Sequence, residues 1–138
     1  MLVSNQFYHD KNVSSKIKNT REALNYTAEF FVNTSRETMC LLVLDSNFEV
    51  ITVSLYHGNG ESVAISTKDI MIETLCAQGV AIILVHNHPS GDLRPSLSDK
   101  RFTQSLYLLC EGLSVQLIDH LIINSEGHRF SFREHNLL

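Results

Sequence analysis

The chain has 138 residues, of which 43% are hydrophobic and 19% are charged, and its formal net charge at pH 7 is -4. This length suits one domain with a single core, and the composition is too apolar for a disordered chain. No apolar run approaches the roughly 18 residues that span a bilayer, and the N-terminus lacks the basic start and apolar stretch of a secretory signal. We therefore expect a cytoplasmic protein with no membrane segment.

The first part of the chain predicts an arm, a helix and a β-hairpin. Residues 1–13 are mostly polar and predict a loose N-terminal arm, so that residues 14–138 form the domain. Apolar residues at helical spacing predict an amphipathic helix from Ser14 to Asn33. Two apolar runs of strand length, Met39 to Leu44 and Val50 to Tyr56, flank a polar turn and predict a hairpin.

The middle of the chain predicts a helix followed by a buried strand. A short extended piece is expected from Ser62 to Ile65. Thr67 is the expected N-cap of the next helix, and Gly79 is expected to end it. The segment Val80 to Val85 is apolar and rich in β-branched residues, which predicts a central strand covered on both faces. The next ten residues, His86 to Pro95, are predicted to form a loop.

The last part of the chain predicts one helix and two strands. The helix is expected from Leu97 to Glu111, with Gly112 just past its end, and the strands from Val115 to Ile123 and from Phe130 to Phe132. The element order is then helix, two strands, helix, strand, helix, two strands. This order predicts an α/β (α+β) fold in which helices flank a single mixed β-sheet.

Three cysteines, Cys40, Cys76 and Cys110, lie far apart inside apolar segments. An odd number of well-separated cysteines favours reduced, buried thiols over a disulfide framework. We therefore assign them no chemical role.

The most informative stretch runs from His86 to Asp99 and begins where the most apolar strand ends. His86 and His88 are two residues apart, so their side chains project to the same side of an extended chain. A Pro-Ser-Gly turn follows, and the next helix can return Asp99 from its first turn toward the two imidazoles. Two imidazoles and one carboxylate leave one position of a tetrahedral zinc ion open for water, as in catalytic zinc sites.

Each of these residues also has a structural interpretation. Ser96 and Asp99 fit a helix-capping pattern, in which a serine is followed three residues later by a carboxylate. A single histidine at a strand end is usually a polar residue at the rim of a sheet. The combination of two histidines, a tight turn and a capping pair at fixed offsets favours the zinc site. Ser96 can cap its helix and still present its hydroxyl to that site.

The spacing of these residues resembles a known signature. The pattern His86-x-His88, seven residues, Ser96, two residues, Asp99 resembles the motif of the JAMM metalloprotease superfamily, whose domain is called JAB or MPN. Asn87 between the histidines, in the spelling HNHPSGD, resembles the bacterial RadC branch of that superfamily.

Two later segments extend the resemblance. Asp119 to Ile123 resembles a strand of RadC proteins, and Ser131 to Leu138 resembles their C-terminal end. The resemblance covers Arg36 to Leu138. It implies the JAB/MPN (cytidine-deaminase-like) architecture and a zinc-dependent hydrolase that cleaves a peptide, amide or isopeptide bond.

The resemblance also implies a role for individual residues. His86, His88 and Asp99 would bind zinc, and Glu37, at the start of the first strand, would act as the general base. Ser96 would donate a hydrogen bond to the oxyanion of the tetrahedral intermediate.

Two other glutamates are alternatives to Glu37 as the base. Glu61 lies in a glycine-rich turn, and Glu73 is expected on the outer face of a helix. Five further residues are implied to support the metal ligands without binding zinc: Asn87, Pro89, Ser90, Asp119 and His120.

Two competing functions stay open at this point. A RadC-type DNA-repair-associated protein or a zinc-dependent nuclease would act on nucleic acid, although the net charge of -4 does not support a nucleic-acid partner. Full-length RadC proteins also carry a helix-hairpin-helix region, for which residues 1–35 are too short. A non-catalytic interaction module is disfavoured by the intact ligand set. The sequence identifies neither the peptide or isopeptide substrate nor the oligomeric state.

Overall fold

The computed structural model describes residues 16–58 and 65–138. The predicted arm at residues 1–13, most of the predicted extended piece at Ser62 to Ile65, and Glu61 lie outside these ranges. The described ranges contain three α-helices, a 3₁₀ helix and five strands, in chain order: α1 Thr20–Thr27, the 3₁₀ helix Ala28–Phe31, β1 Thr38–Leu44, β2 Val50–His57, α2 Thr67–Cys76, β3 Ala81–Asn87, α3 Leu97–Gly112, β4 Gln116–Ile123 and β5 Arg129–Ser131.

The five strands form a single sheet in the order β2-β1-β3-β4-β5. The pair β3–β4 is parallel, and the pairs β1–β2, β1–β3 and β4–β5 are antiparallel. The crossover between β3 and β4 contains α3, as a parallel connection requires. The predicted fold class, a single mixed sheet flanked by helices, is therefore confirmed.

The two faces of the sheet bury separate cores. Side chains alternate along β1 and β3, and both strands are buried over their full length. On one face Leu42, Ile83 and Leu121 belong to a core that includes Ala23 of α1. On the other face lies the core of α2 and α3: Met39, Leu41, Val43, Tyr56, Ile70, Met71, Ile82, Leu84, Leu106, Cys110, Val115 and Leu117. This second face is the one that carries the site described below.

The helices begin where a side chain caps them, which differs from two of the sequence predictions. α1 begins at Thr20 and not at Ser14, because the Asn19 side chain accepts a hydrogen bond from Glu22 N at 2.9 Å. α2 is capped by Ser66 and not by Thr67, and Asp69 completes a capping box with Ser66.

The helix ends also differ from the predictions. α2 ends at Cys76, and the residue in the left-handed conformation is Gln78 (φ 58°) and not Gly79. Gly112 is the last residue of α3 and does not follow it, and Ser114 (φ 56°) is the left-handed residue there. Both chain reversals therefore use a polar residue where the sequence suggested a glycine.

The central strand β3 extends two residues further than predicted. His86 and Asn87, expected in a loop, continue the strand because His86 pairs with Met39 of β1 and with Ile122 of β4. The first histidine of the motif is thus part of the most buried strand.

One of the three cysteine predictions is wrong. Cys40 and Cys110 are buried as free thiols, whereas Cys76 at the end of α2 is exposed. None of the helices in residues 16–58 and 65–138 is long and apolar enough to cross a membrane.

Gly79 is required for close packing between α2 and β1, which gives a first prediction. A Cβ atom at Gly79 would lie 2.2 Å from Val43 Cγ1, in the buried core. We expect Gly79→Ala to lower the free energy of unfolding by about 1–3 kcal/mol, the usual cost of overpacking. Gly112→Ala is the matched control, because a Cβ there meets no atom within 4 Å. Urea unfolding that gave the same stability for both variants would contradict this account.

Candidate metal centre

Two imidazoles meet at the end of β3. His86 is fully buried on the sheet face that packs against α2 and α3, and His88 is the first residue after the strand. The backbone N–H of His88 still donates to Ile123 O of β4, at 2.9 Å, which keeps the chain extended at that point. The two side chains therefore project to the same side, with their Nε2 atoms 2.9 Å apart.

The first turn of α3 brings a carboxylate to the two histidines. Asp99 Oδ2 lies 3.3 Å from His88 Nε2, and Asp99 Oδ1 lies 3.7 Å from His86 Nε2. A capping box holds this turn: Asp99 N donates to Ser96 Oγ at 2.9 Å, and Ser96 N donates to Asp99 Oδ2 at 2.8 Å. The capping interpretation and the site interpretation of Ser96 and Asp99 are therefore compatible.

Glu37 is the fourth side chain of the cluster, beside His86, His88 and Asp99. It lies immediately before β1, and its Oε1 atom is 3.7 Å from His86 Nε2. One ligand atom from each of Glu37, His86, His88 and Asp99 can be chosen so that all four lie within 4.8 Å of one another. Of the two alternative glutamates, Glu73 lies beside the buried Tyr56 and not on an outer helix face.

Asn87 fixes the backbone on both sides of Glu37. Its side chain points to the opposite face of the sheet from His86, where its Oδ1 accepts from Thr38 N at 2.6 Å and its Nδ2 donates to Arg36 O at 3.0 Å. The residue between the two histidines therefore determines where the glutamate stands, although 51 positions separate it from Arg36.

The turn after β3 orients His88. Its Nδ1 lies 2.7 Å from Asp92 O, and a carbonyl oxygen can only accept, so Nδ1 carries the proton and Nε2 faces the cluster. Pro89 and Ser90 lie exposed in this turn, where Ser90 Oγ accepts from Asp92 N at 3.4 Å. Gly91 has a φ of 86°, a conformation in which a side chain would be strained.

Burial and mutual contact shift the pKa values of the cluster. Burial lowers the pKa of His86 to about 4, against the opposing effect of Asp99, so this imidazole is neutral at pH 7. The hydrogen bond with Asp99 raises the pKa of His88, which burial opposes. Burial alone would raise the pKa of Asp99, but hydrogen bonds from His88 and from the Ser96 backbone hold it well below its usual range. Burial raises the pKa of Glu37, and the nearby His88 opposes that rise.

The two residues predicted on β4 have different surroundings. His120 is fully buried, and its Nε2 atom lies 2.7 Å from His86 Nδ1. Asp119 points away from the cluster, because a β-bulge shifts the β3–β4 register just before it. Its carboxylate accepts from Ser131 Oγ at 2.5 Å and from Arg133 N at 3.1 Å, and so connects β4 to the C-terminal turn.

The sequence interpretation missed Thr103. Thr103 Oγ1 is buried and lies 2.7 Å from His120 Nδ1, so it contacts the histidine that contacts His86. A signal was present, because Thr103 follows Asp99 by four residues and therefore lies on the same face of α3.

The donor set fits a metal ion. Two imidazole nitrogens and two carboxylates converge, and each Nδ1 atom of His86 and His88 is already occupied by a hydrogen bond. Imidazole nitrogen and carboxylate oxygen are ligands that zinc takes in catalytic sites. A divalent cation would offset the charge of the two half-buried carboxylates.

Comparison with known proteins places this geometry in context. The RadC-like JAB domain family matches residues 17–137. A UPF0758 protein from Aquifex aeolicus is 39% identical over 127 residues, which cover 88% of this chain and 52% of that protein. A UPF0758 protein from Pelodictyon phaeoclathratiforme is 32% identical over 137 residues, which cover 99% of this chain and 61% of that protein. The chain thus spans between half and two thirds of the length of these two curated relatives.

The cluster predicts metal uptake that depends on its histidines. We expect the purified chain to bind about one zinc ion, and His88→Ala to abolish binding because the change removes one of the nitrogen ligands. His128→Ala is the matched control, since His128 is exposed and paired with Glu126. Elemental analysis after dialysis measures both. Equal zinc content in wild type and His88→Ala would exclude His88 as a ligand.

Proposed function

Because this chain belongs to the RadC-like JAB domain family, we propose that it is a JAMM-type zinc hydrolase that cleaves a peptide, amide or isopeptide bond. The family match and the cluster of Glu37, His86, His88 and Asp99 together support a JAB-family metal hydrolase. The cluster is the observation that carries the proposal. The choice of zinc and of an amide-type substrate goes further and rests on the ligand chemistry and the charge of the site.

Zinc is the metal that the ligand set favours. His86, His88 and Asp99 offer two nitrogens and one carboxylate, the kind of set that holds catalytic zinc with one position open. When bound, zinc supplies a Lewis acid that makes water more acidic and polarises a carbonyl group. The protein fixes the ligands beforehand, since His86 lies in a buried strand and Asp99 in a capped helix.

Glu37 is the general base in this proposal. Its carboxylate stands 3.7 Å from His86 Nε2, beside the nitrogen and carboxylate atoms that would hold the metal. Burial raises its pKa, which makes it a better proton acceptor than an exposed glutamate. Glu37 takes a proton from the attacking water and delivers it to the leaving amine.

Ser96 donates a hydrogen bond to the developing oxyanion. Its Oγ atom accepts from Asp99 N, and its hydroxyl is also hydrogen-bonded to the Asp99 carboxylate. In this proposal the hydroxyl turns from Asp99 to the oxyanion, which it can reach because Ser96 is exposed and caps α3 beside Asp99. The helix N-terminus adds partial positive charge on the same side.

Charge favours an amide substrate over a phosphodiester. The chain has a net charge of -4, and the cluster itself contains two carboxylates. A phosphodiester would bring further negative charge to this site, whereas a peptide bond brings none.

The proposed reaction class is tested on zinc-loaded protein with three substrate sets: a peptide-amide library, isopeptide-linked fusions and single-stranded DNA. We expect cleavage of an amide-type bond that a chelator removes and zinc restores. Cleavage of DNA, with peptides and isopeptides left intact, would instead support the nuclease alternative.

Glu37→Gln tests the proposed base. The amide keeps the shape of the side chain but cannot take a proton, so turnover should fall at least 10²-fold while zinc content stays near that of wild type. Glu126→Gln is the control, because Glu126 lies exposed in the β4–β5 turn. A Glu37→Gln protein that keeps both zinc and full turnover would move the base elsewhere, with Glu61 next to be tested.

Ser96 variants separate capping from catalysis. Ser96→Ala should lower stability by about 1 kcal/mol through loss of the cap and reduce kcat by about 10²–10³ through loss of the oxyanion donor. Ser96→Asp restores a good cap, but its carboxylate would repel the oxyanion. Melting curves and single-turnover rates measure the two effects. A stable and fully active Ser96→Asp protein would leave Ser96 with a capping role alone.

A further inference from the structure

Three buried side chains, of which the first is the proposed ligand His86, form a hydrogen-bonded chain that leads away from the candidate metal centre. His86 Nδ1 lies 2.7 Å from His120 Nε2, and His120 Nδ1 lies 2.7 Å from Thr103 Oγ1. Thr103 Oγ1 also lies 2.8 Å from the carbonyl oxygen of Asp99. This hydrogen-bonded chain therefore begins at His86 on β3 and ends at the backbone carbonyl of Asp99 on α3.

The direction of these hydrogen bonds decides which nitrogen of His86 is available. A carbonyl oxygen only accepts, so the Thr103 hydroxyl donates to Asp99 O and its own lone pair accepts from His120 Nδ1–H. A neutral imidazole has one N–H, and His120 Nε2 is then an acceptor for His86 Nδ1–H. His86 Nε2 is left with a lone pair that faces the cluster.

The opposite direction would block the metal. If the Thr103 hydroxyl donated to His120 Nδ1, then His120 Nε2–H would donate to His86 Nδ1. His86 would carry its proton on Nε2, which points at His88 Nε2, 2.9 Å away. A protonated Nε2 cannot bind zinc, so metal binding requires the Thr103 oxygen to act as the acceptor at the end of the chain.

We propose that Thr103 and His120 are positioning residues that hold His86 in the Nδ1–H tautomer, with Nε2 directed to the metal. This inference rests on the proposed metal site. All three residues are fully buried, so the tautomer is set inside the protein and not by solvent. Phe132 stacks on His120 with ring centroids 4.5 Å apart and an angle of 6° between the planes, which fixes the orientation of the relaying imidazole.

The other histidine ligand does not depend on this chain. His88 Nδ1 donates directly to the backbone carbonyl of Asp92, which has no proton to give. Its tautomer is therefore determined by the turn, whereas that of His86 depends on the Thr103 hydroxyl and on His120. Loss of the Thr103 hydroxyl should therefore change the tautomer of His86 and leave that of His88 as it is.

Thr103→Val tests the inference because it keeps the shape of the side chain and removes the hydroxyl. The metal-bound state would then contain a buried His120 N–H without an acceptor. We expect zinc affinity, measured by competition with a chromophoric chelator, to fall by about 10- to 100-fold, as for other residues that hold a metal ligand. Thr103→Ser, which restores the hydroxyl, should bind zinc within a few-fold of wild type.

Thr74→Val is the matched control. Thr74 is also a buried helical threonine, and its hydroxyl makes the same backbone hydrogen bond one turn back, to Ile70 O at 2.8 Å. It lies on α2, and the hydrogen bonds and ion pairs of the cluster do not involve it. Melting curves should shift similarly for the two valine variants, while zinc affinity falls in Thr103→Val alone.

A second measurement uses wild type and does not depend on any variant folding. Nitrogen-15 NMR of the zinc-loaded protein reports which imidazole nitrogen carries the proton, and we expect Nδ1–H for His120. A His120 with its proton on Nε2, or unchanged zinc affinity in Thr103→Val, would overturn the inference while leaving the metal site intact. Failure of wild type to bind zinc would instead overturn the metal site, and this inference with it.

Discussion

The pairing of β3 with β1 on one side and β4 on the other is the constraint on which the site depends. His86 lies opposite Met39 in one pair and Ile122 in the other. That register brings Glu37, immediately before β1, and His120, on β4, to the same imidazole. Because both neighbouring strands are hydrogen-bonded to β3, none of these groups can shift along the sheet without breaking a ladder. The strands are held in turn by the apolar cores on both faces.

Alternation along β3 gives adjacent residues different tasks. His86 faces the core of α2 and α3, where Asp99 and Thr103 approach from one helix. Asn87 faces the other way and holds the backbone around Glu37 through two hydrogen bonds. This dipeptide thus supplies a proposed metal ligand and also holds the backbone on both sides of the proposed base. The parallel crossover has a related effect, because it returns α3 across the sheet face with its N-terminus beside the end of β3.

The site combines a helix cap with buried polar groups that need hydrogen-bond or charge partners. Ser96 and Asp99 stabilise the start of α3 as a capping box, and the same carboxylate approaches both imidazoles. Burying carboxylates and imidazoles together is costly unless each is paired. In the structure they are paired with one another and with Thr103 and His120, and a cation would complete the arrangement. The capping function and the proposed ligand function of Asp99 therefore support each other.

The features that depend on local spacing could be predicted from the sequence alone. The order of elements, the fold class and the arrangement of His86, His88 and Asp99 followed from periodicity and short offsets, and the family match confirms the RadC resemblance that those offsets suggested. Glu37 was identified through that resemblance and not from its own surroundings in the sequence. Three features of the site became visible only in the tertiary structure. Asn87 holds the backbone beside Glu37, and Asp119 points away from the cluster. Thr103 reaches His86 through His120, which is 34 positions from His86. The physical reason is that spacing fixes which side chains share a face of one element, whereas strand pairing and helix docking depend on the burial of whole apolar faces.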